Sequence, residues 1–503
     1  MPWLQTGRTE RELTGGLSAQ LVLATHPSAR REITAPMVWT REIPSIDAIV
    51  AAQRLSRLPG LAFLDSAMQH HMLGRVSVLG ADPFGRFRLR EGRATLDGQA
   101  LDGKPLEALR ACLAPYRLPP QPDLPAFPGA AIGYFAYDLG RELERVAKPP
   151  RRAGLTDDIA FNLYDTLLAI DHEHDRCVLI ATGFPATDPD ARVARAQTRL
   201  DAFAALLGTP AEPEPQTKST PAPLTWHSNF SRQSYEDAVE KVRDYIRAGD
   251  IYQANIAQRF SAELPPGFDP FALYQRLRAT NPATFGAYLA FDELTVASSS
   301  PERFLTLRGR EVETRPIKGT VRRVEDPDED AALAKALQAN PKERAENIMI
   351  VDLLRNDLSR VCEPRSVRVP VLCGLESYAS VHHLVSVVTG TLREGTDALD
   401  LIAKTFPGGS ITGAPKLRAM DIITEIEGDA RELYCGAIGA IGFDGTMDTA
   451  IAIRTVFMDT REAVLQAGGG ITLLSEPGPE YEETLTKAAR VFAAFAPDGE
   501  GGR

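Results

Sequence analysis

Two pairs of carboxylates, each spaced three residues apart, are the first places in this chain where residue type and spacing could do chemistry. Glu480 and Glu483 lie in EYEETLTKAARVFAAF (480–495), with Lys487 one turn beyond Glu483. Glu343 and Glu346 lie in KERAENIMIVDLL (342–354). In a helix the i, i+3 spacing puts each pair on one face, where carboxylate oxygens suit a hard divalent cation that keeps part of its water shell. The Lys487 ammonium could hold an anionic substrate beside them. The plain alternative is a solvated Glu483–Lys487 pair at i, i+4, and spacing alone does not bring the two helices together.

A second constellation is SSSPERFLTLRGREVETRPIKGT (298–320), which reads as a hairpin turning around Gly309 and Arg310. Folded there, position 302 faces position 317 or 318, so Glu302 and Lys318 come within roughly 5 to 8 Å of each other. An acid and an amine at that spacing can act on one substrate, although a lysine at a strand end is usually only solvated. FPGGSITGAPKLRAM (406–420) reads as a Gly-rich turn feeding a helix with Pro415 in its first turn, a place where backbone N–H groups meet an anion. Gly408 and Gly413 have P-loop spacing, but Ala414 stands where the phosphate-binding lysine should be, so a carboxylate ligand fits better, with a plain tight turn as the alternative. Gly468, Gly469 and Gly470 let backbone approach a ligand closely, or merely turn a strand.

Several elements must position these groups. A helix is expected from Ser234 to Ala248, burying Ala238, Val242, Tyr245 and Ile246 and stopping at Gly249. A strand should follow over 252–260, and in the last helix Tyr481, Leu485, Ala488, Phe492 and Phe495 make one apolar stripe. The first half shows strand-like runs at 61–65, 84–90, 130–139 and 177–182. Between the halves, TPAEPEPQTKSTPAPLT (209–225) has no apolar period. Helices and strands mix without regular βαβ alternation.

Composition narrows the classes. The chain has 503 residues, 44% of them hydrophobic, enough for a sizeable core. A net charge of -11 argues against a nucleic-acid or anionic-membrane binder. The charged N-terminal start and the lack of a long apolar run exclude a secretory or membrane-spanning reading, so a cytoplasmic enzyme is expected. Five cysteines with no CxxC pair suggest buried thiols rather than disulfides or a zinc site.

The strings SSSPERF, RPIKGT, ERAENIMIVDLLRNDLSRV, SYASVHHLVS, FPGGSITGAPKLRAM, DTAIAIRTV, AGGGI and YEETLTK, in this order over about residues 230–495, resemble the chorismate-utilising enzymes. FLDSA (63–67), GRVSVLGADP (74–83) and GYFAYDL (133–139) look like that family's more divergent N-terminal region. The resemblance implies an anthranilate-synthase-like α+β fold, a large sandwich of antiparallel sheets wrapped by helices. It divides the chain into an extension (1–35), the divergent region (36–208), a linker or excursion (209–225), the chorismate-binding catalytic region (226–497) and a tail (498–503). By resemblance Glu346 and Glu483 bind Mg2+, with Glu343 and Glu480 nearby. Tyr434, Arg454, Lys487 and the backbone of Gly468, Gly469 and Gly470 would hold the substrate. Gly319, Thr320, His383, Ser410, Thr412 and Gly413 line the same wall.

Within the family, the residue between Ile and Gly in PI-x-GT is typically Ala in anthranilate synthases and Lys in aminodeoxychorismate synthases; here it is Lys318. Water-using members carry a lysine where this chain has Gln253, which favours ammonia as nucleophile. The resemblance therefore implies an amination of chorismate at ring C4, with Lys318 as covalent nucleophile and Glu302 as acid; anthranilate synthesis is the alternative. A lysine in that role must be neutral, hence desolvated or crowded by positive charge. FLDSA departs from the family's tryptophan-binding signature and NPATF (281–285) lacks its SPYM string, so a regulatory tryptophan site is not expected. No amidotransferase triad is recognisable, so ammonia should come from a separate glutamine amidotransferase subunit.

Overall fold

Strands such as Ala130–Phe135 and Ala437–Gly442 bury all six of their residues, and a strand with no wet face needs cover on both sides. The computed structural model describes residues 38–68, 73–151, 154–209, 224–378 and 381–496. In it, a second sheet covers one side and helices cover the other. Ala130, Ile132 and Tyr134 share a core with Ala62, Ala287, Leu289 and Phe457 of the opposite sheet. Their neighbours Ala131 and Phe135 point the other way, onto Leu109, Val351, Leu401 and Met420 of the helical layer. The result is two twelve-stranded antiparallel sheets flanked by helices, the α+β sandwich expected.

The first elements around the cleft, in chain order, are β1 (Ala62–Asp65), β2 (Ala130–Phe135), α1 (Arg232–Arg247), β3 (Gln253–Glu263) and β4 (Phe285–Ala290). Then come β5 (Arg303–Arg308), β6 (Glu311–Thr314), β7 (Ile317–Arg322), α2 (Pro341–Ser359) and β8 (Val381–Thr391). The last are α3 (Lys416–Glu427), β9 (Ala437–Gly442), β10 (Thr455–Met458), β11 (Glu462–Ile471) and α4 (Pro477–Phe495). The two halves of the chain interleave, since β1 pairs with β4 and β2 with β9. The stretches 1–35 and 498–503, and residues 210–223 of the expected linker, lie outside the described residues.

The hairpin turns where its Gly309 predicts, with Arg308 paired to Glu311 and β5 running antiparallel to β6. Helix α1 begins two residues earlier than expected because Ser231 caps it in a box with Ser234. The strand-like run at 130–139 ends at Phe135, and its last residues turn into a 3-10 helix over Tyr137–Leu139. The stripe on α4 is rotated from the expected one. Glu480, Thr484, Ala488, Val491, Ala494 and Phe495 are the buried residues, while Tyr481, Leu485 and Phe492 pack at the margin. Polar side chains tolerate the inner position because they find partners there: Gln258 donates to the Thr484 hydroxyl at 2.6 Å.

Candidate active site

β11 is paired with β3 from end to end, but β10 pairs only with its Ala463–Leu465 segment. From Gln466 to Ile471 one edge of β11 therefore has no neighbouring strand among the described residues, and this stretch holds Gly468, Gly469 and Gly470. Lys487 on α4 reaches this strand, donating to the Gly468 carbonyl at 2.8 Å. A cleft of about 170 Å3 is lined by Asn281, Thr320, His383, Arg454, Lys487 and Arg490. Arg454 is held with φ of 51°, unusual for a residue with a side chain. Its guanidinium has no carboxylate in contact among the described residues, and burial, with Arg490 nearby, lowers its pKa. A desolvated, unpaired arginine beside Lys487 and Arg490 is a receptor for carboxylate.

Glu302 lies just before β5, opposite the start of β7 as the hairpin register requires. Its buried carboxylate accepts from the Ser410 hydroxyl and the Ile317 amide and interacts with Lys318. Burial raises its pKa, and these contacts together with Arg454 only partly offset that. A carboxyl that holds its proton more tightly in this way is suited to general acid work. The Lys318 ammonium is half-buried and lies 3.4 Å from the Ser410 carbonyl, so acid and amine meet over one turn of chain. Gly319, with φ of 75°, forms a bulge that puts Thr320 opposite His383. Thr320 Oγ1 and His383 Nδ1 are 2.8 Å apart. Burial, aided by Arg454 and His382, depresses His383 to about 4, so the imidazole is neutral near pH 7.

The four expected metal carboxylates sit on α2 and α4. Burial raises Glu346, and Glu343 and Glu480 push the same way. Burial also raises Glu480, with Glu483 adding to it, although Ser475 bonds its carboxylate. Glu483 is held low: burial pushes it up, but Lys487, Lys342 and Lys318 outweigh that. The expected i, i+4 pair is present, Lys487 Nζ to Glu483 Oε1 at 2.7 Å, with both side chains about half exposed. Mutually repelling, desolvated oxygens on two helices fit a hard divalent cation. No three of them converge within 4.8 Å, so a cation retaining waters suits the set better than a closed cage. Among the described residues the tight acidic cluster is elsewhere, Asp171, Glu173 and His174 on an exposed turn.

Gln253 begins β3 and is paired with Ala414, which with Gly413 forms a two-residue strand. A side chain at Gly413 would strike the Gln253 carbonyl at 2.2 Å, so glycine allows the two backbones to meet. Ser410 and Thr412 are buried on this wall, and Tyr434 is buried beside Arg431. Arg490, Asn281, Tyr378 and Arg431 were not anticipated. Arg490 was findable, being three residues beyond Lys487 on the same helix flank. A larger cavity of about 480 Å3 adjoins the cleft at Thr284, lined by Leu64, Asp65, Ser66, Phe285 and Arg303 among others.

This geometry has close counterparts. Residues 62–493 match the family of chorismate binding enzymes. The chain belongs to the chorismate-binding enzyme family. Aminodeoxychorismate synthase component 1 of Klebsiella aerogenes is 41% identical over 450 residues, 87% of this chain and 94% of that protein. Anthranilate synthase component 1 of Thermus thermophilus is 38% identical, over 89% of this chain and 94% of that protein. The crystal structure of anthranilate synthase component I from Streptococcus pneumoniae superposes with a TM-score of 0.75 at 34% identity, covering 83% of this chain and 92% of that one. As a chorismate-binding enzyme the chain has a cleft whose cationic wall suits a dicarboxylate substrate. Among the described residues no helix is long and apolar enough to cross a membrane.

Proposed function

We propose that this chain is an aminodeoxychorismate synthase component 1, converting chorismate and ammonia to 4-amino-4-deoxychorismate. The observation that carries the reading is Lys318 at the mouth of the hairpin, in contact with the same turn that bonds the desolvated Glu302 acid. Arg454, Lys487 and the free edge of Gly468–Gly470 orient the substrate carboxylates. Glu346 and Glu483, backed by Glu343 and Glu480, would hold Mg2+, which when bound offsets the charge of a ring carboxylate. The Lys318 amine attacks ring C2 while Glu302 delivers its proton to the departing C4 hydroxyl. Ammonia then bonds at C4, the C2–lysine bond breaks, and the amine is regenerated.

Ammonia comes from a separate glutamine amidotransferase in this reading, because all five cysteines are buried and none is placed as an exposed nucleophile. The test is turnover of chorismate with magnesium and ammonium, products identified by mass. The purified chain should use ammonium and not glutamine, and Lys318→Ala should sharply reduce 4-amino-4-deoxychorismate. Release of anthranilate and pyruvate as main products would replace this reading with anthranilate synthase, as the Thermus relative's name suggests.

A further inference from the structure

Among the described residues, the largest side chain to be fully buried is a charged one, Arg431, 1% exposed. Its charge is met by Glu427, four residues back at the end of α3. Arg431 Nη2 donates to Glu427 Oε1 at 2.7 Å, and Nε donates to Oε2 at 2.9 Å. Taking both ions out of water costs about as much as their attraction returns, and an apolar pair of similar volume often holds a core equally well. What the ion pair supplies beyond that is direction. Arg431 also donates to the Asn255 carbonyl at 2.7 Å and to the Ile411 carbonyl at 3.0 Å. Glu427 Oε1 accepts from the Ala257 amide at 2.9 Å. One buried pair thus joins the end of α3, two points on β3 and the turn Gly409–Ile411.

That turn carries the contacts of the reacting groups. Ser410, the residue before Ile411, gives its hydroxyl to the Glu302 carboxylate, and its carbonyl lies 3.4 Å from the Lys318 ammonium. Within the turn, the Thr412 hydroxyl donates to the Gly408 carbonyl at 3.0 Å, which shapes the turn but does not set where it stands. Its place comes from β3, which is paired along its length with β11. The Asn255 amide donates to the Thr412 carbonyl at 2.7 Å. With Arg431 on the Ile411 carbonyl, two consecutive carbonyls beside Ser410 are therefore tied to one point of β3.

Resting on the synthase reading above, we propose that Arg431 is a positioning residue for the reaction: backed by Glu427, it holds the Ser410 turn against β3 so that Ser410 meets Glu302 and Lys318 together. It acts through Ser410. The planar guanidinium matters because its two ends reach carbonyls on two separate segments while Nε and Nη2 grip Glu427. A lysine in its place would keep the charge opposite Glu427, but a single ammonium lacks the fork that spans both carbonyls. Misplacing a reacting group by about 1 Å can cost about a hundredfold in rate, so a loosened turn is felt in turnover before it is felt in the fold.

The experiment is steady-state kinetics with chorismate, magnesium and ammonium chloride on wild type, Arg431→Lys, Ser410→Ala and the double variant. Circular dichroism checks the fold, and Arg431→Met combined with Glu427→Leu, which removes the buried pair as a whole, replaces the lysine variant if that one does not fold. Arg431→Lys should lower kcat about tenfold to a hundredfold, with the KM for chorismate and for ammonium each within about twofold of wild type. Ser410→Ala should lower kcat as well. The double variant should be no slower than the slower of the two single variants, because both changes break the same link. An unchanged kcat in folded Arg431→Lys, a rise in the KM values in place of a fall in kcat, or two losses that multiply in the double variant overturns the inference while leaving the synthase reading intact. Failure of the wild type to consume chorismate with ammonium overturns the synthase reading and this inference with it, before any variant is compared.

Discussion

The two cavities described above differ in what their charged groups have found to pair with. In the larger one, of about 480 Å3, Asp65 is bonded by Arg278 at 2.7 Å and by the Tyr274 hydroxyl at 2.8 Å. Arg303 there holds Asp448 at 2.8 Å. In the smaller one, of about 170 Å3, Arg454 has no carboxylate in contact among the described residues, and nearby Glu302, Glu346 and Glu480 are lifted by burial. Volume therefore misleads as a guide to chemistry. A charge with a partner has spent its field on the fold, whereas one that is desolvated and unpaired keeps it for a ligand.

Substitutions can break or sharpen that contrast. The largest effect should come from Glu302→Gln, which keeps shape but removes the acid: turnover should fall about a hundredfold to ten-thousandfold, with the melting temperature little changed. A variant that keeps full activity would erase the distinction between the cavities. In the other cavity Arg278→Ala strands a buried Asp65. It should cost about 3 kcal/mol in denaturant unfolding, with kcat within about twofold of wild type since Arg278 does not itself line the cleft.

His383 adds a pH-dependent term. Folded, its imidazole stays neutral down to about 4, against an ordinary value of 6.5. Between those values the unfolded chain binds the extra proton, so this contribution is present above pH 6.5 and is lost as pH falls toward 4. The loss is on the order of 3 kcal/mol, and His383→Gln should flatten unfolding free energy across that window relative to wild type. The smallest stability effect belongs to Glu483→Gln, because its partner Lys487 is half exposed: less than about 1 kcal/mol. The same variant should weaken the magnesium dependence of turnover, measured by metal titration.

Parts of this site were legible in order of how locally they are encoded. The hairpin that sets Glu302 against β7 follows from a turn and alternating strands, and Glu480, Glu483 and Lys487 from helical spacing. The phase of α4 was read one position off, since Thr484 is buried through a bond to Gln258 on a strand over two hundred residues away. Arg431 was invisible for the same reason: its partners Asn255 and Ile411 come from separate elements. A continuous apolar run shows that a strand is covered on both faces but not by what, so the pairing of β1 with β4 could not be read from either segment.

That interleaving bears on how the protein is made. When β2 has left the ribosome, its partner β9 has still to be translated, about 300 residues later, which at ~5–20 residues per second is some 15 to 60 seconds. Until then the nascent N-terminal half presents a strand of six apolar or small residues with an open edge. Production of this enzyme should accordingly respond to translation speed and to chaperones that mask strand edges, more than its finished stability would suggest.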